Sequence, residues 1–186
     1  MIAKPMHIKV ETERLVLRSL LLSDISQDYV DWLNDPEINK YLSHSNTVQT
    51  IKTCRNYVQS YQEKNDAAII GIFLKDNGLH IGNLTFSALD WDNKTVAIGI
   101  SIGRKEYMGN GLAREALSAI VRYCFQQLGL LRLWAGVNIS NIRSLNLFIK
   151  SGFKFEKFLH ESELAHGTLE AGYIMSINKK DLIAQN

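Results

Sequence analysis

Tyr107-Met108-Gly109-Asn110-Gly111-Leu112-Ala113 stands between a β-patterned run over 95–102 and a helical pattern in which Ala113, Leu117, Ile120, Cys124 and Leu128 fall in register. Glycines at 109 and 111 let the backbone turn tightly, so several N–H groups can face one side at the positive end of the helix dipole. That arrangement is a phosphate cradle. Two nucleotide-binding alternatives fail on spacing. A P-loop requires Lys-Ser/Thr after its last glycine, where Leu112-Ala113 stand; a dinucleotide fingerprint requires glycine or alanine where Arg114 stands.

Upstream of the cradle, runs over 67–74, 79–89 and 95–102 are separated by the turn signals Asp76-Asn77-Gly78 and Asp90-Trp91-Asp92-Asn93. They predict an antiparallel meander. Earlier still, Leu15 and Leu17 alternate with Arg14, Val16 and Arg18 as an opening strand after a short polar leader. Ser23-Asp24 is expected to cap a helix that carries Ile25, Tyr29, Trp32 and Leu33 and stops at Asn34-Asp35-Pro36. A longer helix is expected from Thr47 to about Lys64, with Val48, Ile51, Tyr57, Val58 and Tyr61 on its apolar face. Downstream, the pattern predicts a strand over 131–137, a helix over 141–150 ended by Gly152, and strands over 153–159 and 173–177. No repeat, low-complexity tract or linker interrupts it, which predicts one α+β domain over residues 1–186 whose second half alternates strand and helix.

Composition sets the outer limits. The 186 residues are 46% hydrophobic and 22% charged, with 21 Lys+Arg against 19 Asp+Glu. A chain of this length buries about 70% of its unfolded surface and can hold a core without metal or disulfide staples. Disordered and collagen-like readings are excluded. The near-neutral balance argues against an electrostatically driven nucleic-acid binder. Cys54 and Cys124 lie far apart in helix-like surroundings, as buried thiols do, which fits a reducing cytoplasm. No apolar run approaches the ~18 residues of a membrane span, so neither export nor anchoring is expected. No His/Cys/Asp spacing suggests a metal site. His7, His44 and His80 read as structural or exposed, and Trp134, within a strand pattern, as packing.

One strand beyond the cradle helix come Val137-Asn138-Ile139-Ser140-Asn141-Ile142-Arg143-Ser144, then Leu147-Phe148, then Lys150-Ser151-Gly152-Phe153. Together with the glycine loop, this ordered set resembles the GNAT superfamily of acetyl-CoA-dependent N-acetyltransferases. Glu13-Arg14-Leu15-x-Leu17-Arg18 and Ile98-Gly99 further resemble its branch of ribosomal-protein N-terminal acetyltransferases, and the likeness spans about residues 11 to 178. The resemblance implies a mixed, mostly antiparallel seven-stranded sheet, flanked by helices and splayed between its fourth and fifth strands. Those two strands would be 95–102 and 131–137. It implies acetyl-CoA as cosubstrate, with its pyrophosphate facing the amides of Met108, Gly109, Asn110, Gly111, Leu112 and Ala113. The remaining cofactor contacts would come from Ile100, Ile102, Asn138, Asn141 and Ser144. Arg104, Lys105, Arg114, Arg143 and Lys150 cluster around these motifs as candidate phosphate contacts or solvated surface.

Two positions depart from the common pattern. Phe148 stands where many members have a tyrosine thought to protonate the leaving thiolate, and Glu106 where many begin the loop with Gln or Arg. By the same resemblance Ser144 is the candidate acid. Glu163 is the candidate base, with Glu161, His160, His166, Asp90 and Asp92 as alternatives. Trp32, Asp35 and Asp90 are the candidate acceptor-binding residues, Trp32 reading equally as core. A free thiolate resembles cysteine, with a pKa of about 8.5, and leaves readily even without the tyrosine. For the acceptor, freeing an α-amine of pKa about 7.8 at pH 7 costs roughly 1 kcal/mol, against roughly 4.6 for a lysine. The expected reaction is acetyl transfer to a primary amine, first a protein N-terminus and second a nucleotide-linked amino sugar or other small amine. A non-catalytic acyl-CoA-binding module is the alternative of another class. The partner is then an amine acceptor, with neither membrane nor nucleic acid, in a monomer or homodimer.

Overall fold

The computed structural model describes residues 6–42, 47–160 and 171–183. Its strands are β1 (Lys9–Glu11), β2 (Leu15–Ser19), β3 (Ala68–Leu74), β4 (His80–Asp90), β5 (Thr95–Ile102), β6 (Arg132–Asn138), β7 (Lys154–Leu159) and β8 (Gly172–Asn178). Its helices are α1 (Gln27–Asn34), α2 (Pro36–Asn39), α3 (Ile51–Gln62), α4 (Leu112–Gln126), α5 (Ile142–Lys150) and α6 (Lys179–Ile183). All eight strands form one sheet in the order β1-β2-β3-β4-β5-β6-β8-β7. The sheet therefore has eight strands rather than seven. The extra one is the polar leader, whose Lys9, Val10 and Glu11 pair with Arg18, Leu17 and Val16.

β3 shows how the layers form. All seven of its residues are buried, because both faces of the strand are covered. Ala68, Ile70, Ile72 and Leu74 pack into one core with Leu117, Ile120, Cys124 and Phe125 of α4. Ile69 and Phe73 point the other way, into a second core with Tyr29, Val30 and Trp32 of α1 and Cys54 and Val58 of α3. Each fully buried side chain of this size contributes about 1.5–3 kcal/mol. Both thiols are unpaired and buried, as their helix-like surroundings predicted.

Two helix starts differ from expectation. Ser23 and Asp24 lie in a 3₁₀ turn, Leu22–Asp24, where the Asp24 carboxylate accepts both Arg18 Nη groups at 2.7 Å and the Leu21 amide at 2.8 Å. Ser26 caps α1 instead, accepting from the Tyr29 amide at 3.2 Å. α3 starts after Thr50 rather than at Thr47, because Thr50 and Thr53 exchange side-chain-to-amide bonds as a capping box. Val48 is thus left outside the helix and is exposed. α6 was not anticipated.

Every neighbouring strand pair is antiparallel except β5–β6. That parallel pair needs a crossover, which α4 supplies. Its ladder is short: Thr95, Val96 and Ala97 face Arg132, Leu133 and Trp134, and there it ends. β6 continues to Asn138 paired only with β8, and β5 to Ile102 paired only with β4. The expected splay between 95–102 and 131–137 is present. Among the described residues no helix is long and apolar enough to cross a membrane.

Candidate functional site

Past Ala97 the two strands separate, and a cleft of about 2000 Å³ opens between them. A pocket for one drug-sized ligand is roughly 300–1,000 Å³, so this volume takes a donor and an acceptor together. Ile98 to Ile102 line it from β5, and Trp134 and Gly136 to Asn138 from β6. Both strands present edge hydrogen-bonding groups toward the gap, since each has lost its partner on that side.

The glycine loop closes one part of the cleft. Gly109 and Gly111 both adopt the left-handed region, φ +80° and +78°, where a side chain is strained. An added Cβ would meet nothing within 4 Å at Gly109, and at Gly111 only the Arg14 guanidinium at 3.6 Å. From Gly109 to Arg114 no amide has an acceptor among the described residues. The first amide of α4 to find one is Glu115, on the Gly111 carbonyl at 3.0 Å. These unsatisfied N–H groups at a helix start, lined by glycine, fit a diphosphate. One expected contact is corrected: the Met108 amide is spent on the Lys105 carbonyl at 3.1 Å, inside the 3₁₀ turn Lys105–Tyr107, although the Met108 side chain lines the cleft. Asn110 does not line it. Its side chain turns back to donate to the Glu106 carbonyl at 3.3 Å, while Leu112 and Ala113 do reach the cleft.

Ile100, Ile102, Asn138, Asn141 and Ser144 all line the cleft. The Asn141 side-chain oxygen accepts the Ser144 amide at 3.1 Å, so its carbonyl is engaged in capping α5. Of the five basic candidates, Lys105, Arg114, Arg143 and Lys150 line the cleft. Arg104 does not: it donates to the His80 carbonyl at 3.1 Å and pairs with Asp28. Phe148 is buried against Phe153, ring centroids 4.9 Å apart.

The acceptor candidates fare differently. Trp32 belongs to the second core and does not line the cleft. Gly103 leaves room for that indole, because a Cβ there would collide with its six-membered ring. Asp35 does not line the cleft either. It caps α2 by accepting the Glu37 amide at 2.9 Å and pairs with Lys105 at 2.8 Å, which hold its carboxyl below the usual range. Asp90 closes the β4–β5 turn, accepting from the amide and side chain of Asn93 at 2.8 and 2.7 Å, away from the cleft. His160 packs on Phe158 and does not line it. Glu161, Glu163, His166 and His44 lie outside the described residues.

What forms the remaining wall is aromatic and hydroxylic. Tyr29, Tyr57 and Tyr61 line it with Asn83, Thr85 and Ser87 of β4. The Tyr57 and Tyr61 hydroxyls are 3.1 Å apart, and Asn83 donates to the Tyr29 hydroxyl at 3.2 Å. Burial pushes the Tyr29 and Tyr57 phenols upward, so both stay protonated near neutrality. Glu37 is the one carboxylate lining the cleft among the described residues, and it pairs at 2.5 Å with Lys105, a cation it shares with Asp35. Sequence reasoning missed this wall, and also Trp134, which is half-buried and faces the cleft. A signal for the β4 part existed. Asn83, Thr85 and Ser87 recur at period two against buried Leu84 and Phe86, as polar residues on one strand face do.

A splayed parallel pair beside a glycine-turned helix start defines a class of domain with an open strand edge next to a helix start that can take a phosphate-bearing donor. Comparison with known proteins agrees. The family model described as "Acetyltransferase (GNAT) domain" matches residues 14–154. The uncharacterised N-acetyltransferase p20 of Bacillus licheniformis is 31% identical over 173 residues, covering 91% of this chain and 96% of that protein. Among solved structures, spermidine N-acetyltransferase from Vibrio cholerae, in complex with CoA and spermine, superposes with a TM-score of 0.81 at 19% identity, covering 92% of this chain and 99% of that one. A ribosomal-protein-serine acetyltransferase-like protein, also from Vibrio cholerae, gives 0.77 at 22%, covering 94% and 99%. The chain belongs to the GNAT family and is an N-acetyltransferase. Members of the family use acetyl-CoA.

Proposed function

We infer that the protein transfers an acetyl group from acetyl-CoA to the α-amine of a protein N-terminus. The donor supplies an activated thioester; the chain supplies orientation and charge control. The amides of Gly109 to Ala113 take the diphosphate, with Arg114, Arg143 and Lys150 at the rim. The unpaired edge of β5 near Ile100 offers an N–H to the thioester oxygen as it gains charge. Ser144, whose hydroxyl has no partner among the described residues, donates a proton to the departing thiolate, and Glu163 accepts one from the amine.

The observation that carries the acceptor class is the charge of the cleft wall. Three tyrosines, Thr85, Ser87 and Asn83 are uncharged, and the one carboxylate among the described residues is already paired. Such a wall hydrogen-bonds a peptide's polar groups but does not draw in a polycation, which needs several free carboxylates. An amine that is easily neutral suits it better than one with a high pKa.

The test is an acceptor screen at pH 7, read by mass spectrometry, over ribosomal N-terminal peptides, amino sugars, free amino acids and polyamines. The N-terminal peptides are expected to exceed spermidine in kcat/KM by about a hundredfold. Comparable turnover of spermidine overturns the assignment, and binding of acetyl-CoA with no turnover of any amine returns it to a non-catalytic module.

A further inference from the structure

The arginine that opens the β2 motif reaches the glycine loop. Leu15 and Leu17 are wholly buried in the core, but Arg14 runs outward to α4. Three donors converge on the Glu115 carboxylate: the Arg14 amide at 3.0 Å and the Thr12 hydroxyl at 2.6 Å on one oxygen, and Arg14 Nε at 2.7 Å on the other. Arg14 Nη2 lies 2.7 Å from that second oxygen as well. With two guanidinium nitrogens fixed, the third is aimed: Nη1 donates to the Asn110 carbonyl at 3.1 Å. An exposed ion pair adds little stability, so the worth of this one is geometric.

The geometry passes through a single peptide plane. The Asn110–Gly111 bond is trans, so its C=O and N–H point in opposite directions. Drawing the Asn110 carbonyl out toward Arg14 turns the Gly111 N–H away from Arg14. Gly111 itself lines the cleft, and Asn110 does not. We propose that Arg14 is a positioning residue for the acetyl donor: through the Asn110 carbonyl it holds the Gly111 amide toward the diphosphate. This rests on the reading that the glycine loop takes that diphosphate.

The experiment is calorimetric titration with CoA and with 3′-dephospho-CoA, on variants shown by circular dichroism to be folded. Arg14→Ala is expected to weaken both ligands by about tenfold, the loss of one charge-assisted hydrogen bond. Equal factors are expected because both ligands carry the diphosphate. Arg14→Lys, which keeps the charge without the fork, is expected to lose as much. Glu115→Gln, gentler on the fold, loosens the guanidinium and is expected to weaken CoA by about threefold. Gly109 lines the cleft and an added Cβ there meets nothing within 4 Å, so Gly109→Trp tests the underlying reading and is expected to abolish binding. Unchanged CoA affinity in Gly109→Trp sinks that reading and the proposal with it. Lost affinity there, but wild-type affinity in Arg14→Ala or in Glu115→Gln, overturns the proposal alone. So does full affinity in Arg14→Lys, which leaves charge as the whole effect. A penalty confined to CoA overturns it too, by moving the contact to the 3′-phosphate.

Discussion

His80 shows what burial does to one ionisable ring. It is stacked on Phe73 at 4.5 Å and on Tyr29 at 5.6 Å, with Trp32 edge-on at 5.0 Å. Nε2 lies 3.0 Å from both the Gly82 carbonyl and the Asn83 side-chain oxygen, two acceptors, so the proton resides there. Nδ1 is buried with no partner among the described residues, and a second proton would find none of them to bond. Burial accordingly pulls the His80 pKa below 6.5. The sign follows from linkage: the unfolded chain takes up the proton as pH drops below about 6.5 and the folded chain resists, so stability is lost on acidification. Melting temperature should fall between about pH 7.5 and about pH 5.5 in the wild type and fall less in His80→Gln, read by differential scanning calorimetry. Parallel slopes would remove His80 from the account. The proton-transfer residues are separable in the same way. Glu163→Gln should cost about a hundredfold in kcat/KM, most at low pH; Ser144→Ala should cost about tenfold, and more as pH rises. If both keep wild-type activity across the range, the roles are wrong.

At the scale of elements, α5 carries its motif residues because Asn141 starts it. Asn141 is a candidate cofactor contact, and its side-chain oxygen takes the Ser144 amide as the cap of α5. Asn141→Ala should therefore lower stability by about 1 kcal/mol, the worth of an N-cap. For a chain of this size that is roughly 2–4 °C in Tm. The substitution should also turn Ser144 within the cleft, and the measurement is Tm alongside CoA affinity. An unchanged Tm would show that the cap carries no stability. The α1–α2 corner follows the same logic. Asp35 ends α1, caps α2 and shares Lys105 with Glu37, so this corner is tied to the 3₁₀ turn ahead of the glycine loop. Neither partner was marked by hydrophobic period, because both bonds depend on where the chain returns in space.

The whole molecule sets how deep its groups lie. Cys124 of α4 is fully buried in the larger core, and burial pushes its thiol well above the ordinary value. Its reaction with a thiol reagent should thus report global opening. Acetyl-CoA at about one hundred times its Kd should slow that labelling by about a hundredfold, by mass action on the folded state. Labelling that ignores acetyl-CoA would mean the α4 core opens without releasing the donor site.

Much of this molecule is legible in local chemistry. The strand alternation, the turn residues, the glycine loop and the Asn141–Ser144 spacing are local properties, and a local pattern survives in a linear string. Those features predicted the meander and, through the family resemblance they carry, the splayed pair, and the structure has both; the glycine loop they marked stands at the start of α4 with its amides unpaired among the described residues. The first strand escaped notice because Lys9, Val10 and Glu11 are too short a run to show a period until β2 pairs with them. The acceptor wall escaped for a related reason. Tyr57 and Tyr61 sit at helical spacing that reads as core, and only the packing of α3 against β3 sets them on the wall of a cleft that Thr85 and Ser87 also line. Trp134 reads as packing until its neighbour strand leaves it. What the tertiary structure alone decided is which face of each element stays uncovered, because that depends on the distance between strands, and no residue encodes that distance by itself.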